Sequence, residues 1–288
     1  MTPEPLEFPT GDGLILRGDG WGNPAARPVL MLHGGGQTRH AWGGVAERLA
    51  LAGWYAVSID QRGHGESDWV PEARFTPEAY KIDAFASDFR AVARTFRTPP
   101  VAVGASLGGV AAMLGVGEGG SDLARALVLV DITPRVQRAG VERIVNFMRR
   151  HMDDGFASLE EAADYVASYL PGRRRPKDLS GLQKNLRQRE DGRWYWHWDP
   201  KFVTDIDARM ADRDPERLAS AARSIRVPCL LVRGGSSDLV SPENAREFLE
   251  IVPQAEFVDV GGAGHMVAGD RNDAFARAVT EFLEELRP

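Results

Sequence analysis

The chain has 288 residues, 43% hydrophobic and 26% charged, with a net charge of −6. That length suits one large α/β domain or a domain with an insertion, burying roughly three quarters of the unfolded surface. The mild acidity gives no reason to expect nucleic acid or an anionic membrane as partner, and a single cysteine, Cys229, excludes an internal disulfide and a multi-cysteine metal site.

The N-terminus, MTPEPLEFPTGDG, is acidic and broken by prolines, without the basic and apolar regions of a signal peptide. No later window approaches the ~18 continuous apolar residues of a membrane span. The expectation is a soluble, cytoplasmic protein. The pieces LEFP and LILRGDG, parted by a Thr-Gly-Asp-Gly turn signal, predict an antiparallel hairpin at a sheet edge. Short apolar runs ending in Gly or Asp then recur at 28–36, 54–60, 99–106, 125–131, 227–235 and 255–265 and read as buried parallel strands, Cys229 lying within one as a structural thiol. Helical patterns fall between them near 39–52, 77–96, 107–117, 242–252 and 271–286. This alternation is that of a doubly wound α/β sheet. It breaks once, after Asp131: residues 134–217 show helical patterns, a basic segment and the string RWYWHWDPKF, and read as an insertion.

The stretch VAVGASLGG sets Ser106 at the end of one strand, where α/β sheets bind their ligands. A serine on a sharp strand-to-helix turn needs neighbours without side chains two residues either side, and Gly104 and Gly108 are those neighbours in GASLG. Glycines 34–36 follow an earlier strand in MLHGGG, where backbone N–H groups together with that of Leu107 are able to stabilise an oxyanion. Asp238 follows the strand at 227–233, and His265 the strand at 255–260. Serine, acid and histidine thus stand in the chain order of one hydrolase fold, each at a strand's carboxyl end. Asp131, closing the strand RALVLVD, is a second candidate acid. Asp238 is preferred because its Gly-Gly-Ser-Ser-Asp loop is able to bend toward the histidine, while Asp131 stands at the entrance to the insertion.

With HGGG, DQRGHGES, GASLGG, SSDLVS and GAGH, the chain resembles the α/β-hydrolase fold family, in its capped serine-hydrolase branch, over nearly all its length. The resemblance implies a mostly parallel central sheet flanked by helices, with a helical cap inserted after the sixth strand. The core is then 1–133 and 218–288, and the cap 134–217. It implies Ser106 as nucleophile, His265 as base, Asp238 as acid, and the N–H groups of Gly35 and Leu107 as oxyanion hole. The loop around Asp60 and His64 is architectural in this family, and His33 is expected to support the oxyanion loop.

Related epoxide hydrolases and haloalkane dehalogenases carry aspartate at the elbow. A serine there attacks acyl carbons instead. The expected activity is cofactor- and metal-independent hydrolysis of a small or medium ester or lactone through an acyl-enzyme, the partner being a small-molecule substrate with an acyl carbonyl. Carbon–carbon bond hydrolysis or perhydrolysis by the same triad, or a ligand sensor without turnover, are the alternatives. Within the insertion, Arg173, Arg174, Arg175, Lys177, Lys184, Arg187, Arg189 and Arg193 outnumber the acids; such a field is able to draw an acidic substrate, but charge runs face water and these are read as a solvated cap surface. Trp194, Trp196 and Trp198, at alternate positions, form one aromatic face if extended, fit to pack the cap on the body or to wall a substrate pocket.

Overall fold

The computed structural model describes residues 1–169, 175, 177–203, 206–267 and 272–286. The N-terminal strands β1 (Glu4–Pro9) and β2 (Ile15–Trp21) pair antiparallel, as the turn signal predicts. β3 (Pro28–Leu32), β4 (Tyr55–Ile59), β5 (Val101–Ala105) and β6 (Ala126–Val130) follow. After the insertion come β9 (Cys229–Gly234) and β10 (Ala255–Val260), completing an eight-stranded sheet of order β1-β2-β4-β3-β5-β6-β9-β10. Every pairing beyond β4 is parallel. All residues of β3, β4, β6 and β9 are buried, because helices cover both faces of the sheet.

Alternate strand residues feed opposite layers. Val29, Met31, Val101, Val103, Val128 and Val232 pack with α1 (Gly43–Leu51) and α10 (Asn272–Glu285), whereas Leu30, Leu32, Ala102, Leu127, Leu129 and Leu231 face the layer of α2 (Ile82–Ala93) and α3 (Leu107–Gly119). Cys229 is buried in this second layer, and burial pushes its thiol up to about 12, out of reach of nucleophilic chemistry. One strand differs from expectation: β10 is the edge opposite β1, bonded only to β9, and Phe257 on it is exposed.

The insertion follows β6, the sixth strand, with α4 (Arg138–Arg149), α5 (Leu159–Tyr169) and α6 (Ser180–Gln183). It is not wholly helical. β7 (Leu186–Gln188) and β8 (Trp194–Trp196) form an antiparallel hairpin, before α7 (Ile206–Asp212). The next helix, α8 (Pro215–Arg223), buries Leu218, Ala221 and Ala222 against the body, where a Cβ on Gly117 of α3 would stand 2.2 Å from the Ala221 carbonyl oxygen. That contact ties α8 to the sheet layer rather than to the insertion. α9 (Pro242–Ile251), opened by a capping box of Ser241 and Asn244, covers the end of the sheet.

Candidate active site

Ser106 sits between β5 and α3 with φ 46° and ψ −111°, a backbone few non-glycine residues adopt. Its side chain does not cap the helix that follows. The turn closes only because its flanks are bare. A Cβ on Gly104 would lie 2.5 Å from the Gly108 oxygen, and one on Gly108 would lie 2.5 Å from the Leu32 oxygen. Both obstacles are backbone, which cannot swing away. Gly104→Ala is therefore expected to cost about 1–3 kcal/mol by prising α3 from β5, read as a lower urea midpoint; an unchanged midpoint would mean that the two elements separate freely.

His265, after β10, places Nδ1 2.6 Å from Oδ2 of Asp131. This corrects the expected acid. Asp131, at the end of β6, is fully buried with φ 49°; its Oδ1 accepts the Gly234 N–H at 3.0 Å and its Oδ2 accepts the Ser237 hydroxyl at 2.6 Å. Asp238 is instead ion-paired with Arg143 of α4, Oδ2 to Nε 2.8 Å. The physical reason lies in the loop after β9. The amides of Leu239 and Val240 both donate to Ser237 Oγ, curling the loop about Ser237 and presenting that hydroxyl to Asp131, while Asp238 is carried out toward α4. Ser237 was not anticipated; it stands one position before the expected acid, in the same strand-end loop.

Glycines 34–36 form a loop beside the elbow, for a Cβ on Gly34 would come 3.4 Å from Ser106 Cβ. Its donors are mostly taken. Gly34 N–H donates to Gln37 Oε1 at 2.9 Å, Gly36 N–H to His64 Nε2 at 3.1 Å and Gln37 N–H to the Gly34 oxygen at 3.1 Å. Among these four residues only the Gly35 N–H has no hydrogen-bond partner among the described residues. Leu107 opens α3, so its N–H is one of the four that a helix leaves without a partner of its own. Gln37 Nε2 also reaches Met266 Sδ at 3.1 Å, linking this loop to the residue after His265.

His33 supports the loop as expected: its Nε2 accepts the Gln61 N–H at 3.0 Å, which leaves the ring proton on Nδ1 to donate to the Gly34 oxygen at 2.8 Å. His64 likewise accepts at Nε2 and donates from Nδ1 to the Arg62 oxygen at 2.9 Å. Asp60 takes the Arg39 amide at 2.6 Å, the Glu66 amide at 2.9 Å and the Arg39 guanidinium, pinning the loop in place.

The aromatic string divides its work. Trp196 and Trp198 are buried and stacked with ring centroids 4.7 Å apart, and Trp196 Nε1 donates to the Arg150 oxygen at 3.0 Å. Trp194 is half-buried in the cap hairpin, where its backbone bonds Phe156 in both directions. Between Trp196 and Trp198, His197 is fully buried, and burial pushes its imidazole down to about 3. Burial lowers His33 as well. Both rings stay neutral in the fold while the unfolded chain protonates them near the ordinary value of about 6.5, so folding stability falls as pH drops below that value and continues to fall toward about 3. A Tm unchanged between pH 7 and pH 4 would contradict that assignment. In the basic segment, Arg175 pairs with Asp164 at 2.6 Å, Arg187 lies over Trp69 at 4.8 Å and Arg189 over Tyr195 at 3.7 Å, all within the chain's own surface. Arg173 and Arg174 lie outside the described residues.

A strained serine between strand and helix, a histidine bonded to a buried carboxylate and a glycine loop with an open amide, all at the carboxyl ends of a mostly parallel eight-stranded sheet, define the class of α/β hydrolases. The chain belongs to the alpha/beta hydrolase family, whose sequence profile matches residues 29–278. It is similar to Esterase Rv0045c of Mycobacterium tuberculosis, 30% identical over 270 residues that span 92% of this chain and 85% of that protein. It also resembles the 3-hydroxybutyrate-oligomer hydrolase of Cupriavidus necator, 29% identical over 259 residues, 85% of each chain. Among solved structures, an E-2-(acetamidomethylene)succinate hydrolase shares the fold, with a TM-score of 0.82 over 98% of this chain and 99% of that one at 23% identity. The chain is accordingly a hydrolase. No helix among the described residues is long and apolar enough to cross a membrane.

Proposed function

We propose that the protein hydrolyses a small or medium carboxylic ester or lactone through an acyl-enzyme on Ser106. The observation that carries the reading is the backbone of Ser106, held at φ 46° in a turn that closes only because Gly104 and Gly108 lack side chains. In this reading His265 takes the Ser106 proton through Nε2 as the hydroxyl attacks the carbonyl carbon. Asp131 keeps the other ring proton on Nδ1 and supports the imidazolium that forms. The N–H groups of Gly35 and Leu107 receive the oxyanion. Collapse of the intermediate returns the proton from His265 to the departing alcohol, and water repeats the sequence to release the acid.

The esterase and the oligomer hydrolase among the relatives support an ester as the bond cleaved. We take residues 134–214 as the cap and assign α8 to the body, revising the expected boundary at 217. Met148 and Trp198, which close on the glycine loop, are the proposed inner wall of the substrate pocket. Trp194 and Trp196 support that wall from within the cap. A panel of p-nitrophenyl esters and aliphatic lactones, each run against Ser106→Ala, tests the reading. Repeated turnover that disappears in the variant supports it, whereas no release from any ester or lactone favours a sensor on the same fold.

A further inference from the structure

Three histidines hold three consecutive peptide planes of the glycine loop. The Gly34–Gly35 plane is held through the Gly34 oxygen by His33 Nδ1–H at 2.8 Å. The Gly35–Gly36 plane is held through the Gly36 N–H by His64 Nε2 at 3.1 Å. The Gly36–Gln37 plane is held through the Gly36 oxygen by His197 Nε2–H at 3.2 Å. The first two rings belong to the body. The third comes from the cap.

His197 has its tautomer chosen for this task. Its Nδ1 accepts the Gly65 N–H at 2.7 Å, so the ring proton resides on Nε2, the atom facing the Gly36 oxygen. The surrounding string is stitched to the same body loop. Asp199 N–H donates to the Gly63 oxygen at 2.8 Å, Tyr80 donates to Asp199 Oδ2 at 2.6 Å, and the Arg187 guanidinium donates to the Gly65 oxygen. Gly36 itself has φ +76°, and a Cβ there would lie 3.1 Å from Met148 Cε and 3.3 Å from Trp198 Cζ3, so the cap closes on this residue from several sides.

We propose that His197 is a positioning residue for the reaction: from the cap, it fixes the glycine loop whose open Gly35 N–H serves as an oxyanion donor. The inference rests on the hydrolytic reading above, and it makes the cap part of the catalytic geometry rather than only a cover. Losing an oxyanion donor outright costs about 10²–10³ in kcat. Loosening its support should cost less, on the order of 10- to 100-fold.

Two substitutions separate the two ring nitrogens. His197→Asn retains an acceptor at the position that meets Gly65 but cannot reach Gly36. His197→Gln extends an amide N–H to the Gly36 oxygen and gives up the Gly65 contact. Active sites are first counted by the end-point of fluorophosphonate labelling, so that rates refer only to folded protein. With p-nitrophenyl acetate, kcat per labelled site is expected to fall about 10- to 100-fold in His197→Asn with KM changed less than about threefold, and to recover at least about fivefold in His197→Gln. Hydrogen exchange of a peptide spanning residues 33–37 should accelerate in His197→Asn and return toward the parent in His197→Gln, while peptides of β5 and β6 stay unchanged. Equal kcat in the two variants, or a rise in KM alone, would overturn the proposal in favour of simple packing. If the parent protein turns over neither p-nitrophenyl acetate nor any other ester or lactone of the panel above, the hydrolytic reading fails by itself. The exchange measurement then decides the latch, and unchanged exchange in His197→Asn overturns it.

Discussion

Ser106→Ala is expected to remove hydrolysis almost completely, by roughly 10⁶-fold in kcat, the scale seen when a triad nucleophile is deleted, while leaving the circular dichroism and urea midpoint of the protein unchanged. The second half of that expectation is the more demanding. Ser106 holds φ 46°, and alanine meets the same backbone strain as serine, so the exchange neither relieves the turn nor worsens it. The side chain does not cap α3, and removing the hydroxyl therefore strands no helix donor. A fluorophosphonate should label the parent protein stoichiometrically and the variant not at all. Full labelling of Ser106→Ala would place the nucleophile elsewhere.

The next largest effect should come from Asp131→Asn, a loss of up to about 10⁴-fold in kcat, the penalty for holding a triad imidazole in the wrong tautomer. An amide there keeps an oxygen for the Gly234 N–H but turns an N–H toward His265 Nδ1, which then loses its own proton to avoid two donors meeting. The proton moves to Nε2, the atom that has to accept from serine. Asp238→Asn should cost less than about tenfold, because Asp238 pairs with Arg143 rather than with the histidine, and that half-exposed pair carries little energy. Measuring both variants on one ester, after verifying their folding, distinguishes the acids. A severe loss in Asp238→Asn with a near-normal Asp131→Asn would restore the first expectation.

The choice of acid marks where the sequence stops being sufficient. Strand runs such as PVLML and ALVLV are legible because both faces are covered and every residue is apolar; the elbow is legible because GASLG states a steric need that only glycine meets. Which of two strand-end aspartates meets a histidine on another strand depends on how the loop after β9 coils. That coil is set by Ser237 accepting two amides, a choice invisible to periodicity. The cap hairpin was legible in principle. Asp191-Gly192, with Gly192 at φ +78°, is a turn signal between β7 and β8, masked by the charged residues around it. His197 carried no signal at all: its partners are backbone groups of Gly36 and Gly65, more than a hundred positions away.

The bonds that run from the WHWDP string to Gly36, Gly63 and Gly65 also set a rule for redesign. In a chimera that grafts a foreign cap between β6 and α8, the joint that matters is not the two splice points but this internal seam. A transplant that omits the string's histidine and aspartate would give a well-folded hybrid whose new pocket sits over a misaligned catalytic floor, so altered substrate preference and slow turnover would arrive together. Retaining residues 194–202 from the recipient and exchanging only α4 to α6 should separate the two outcomes, letting selectivity change while the reaction rate is preserved.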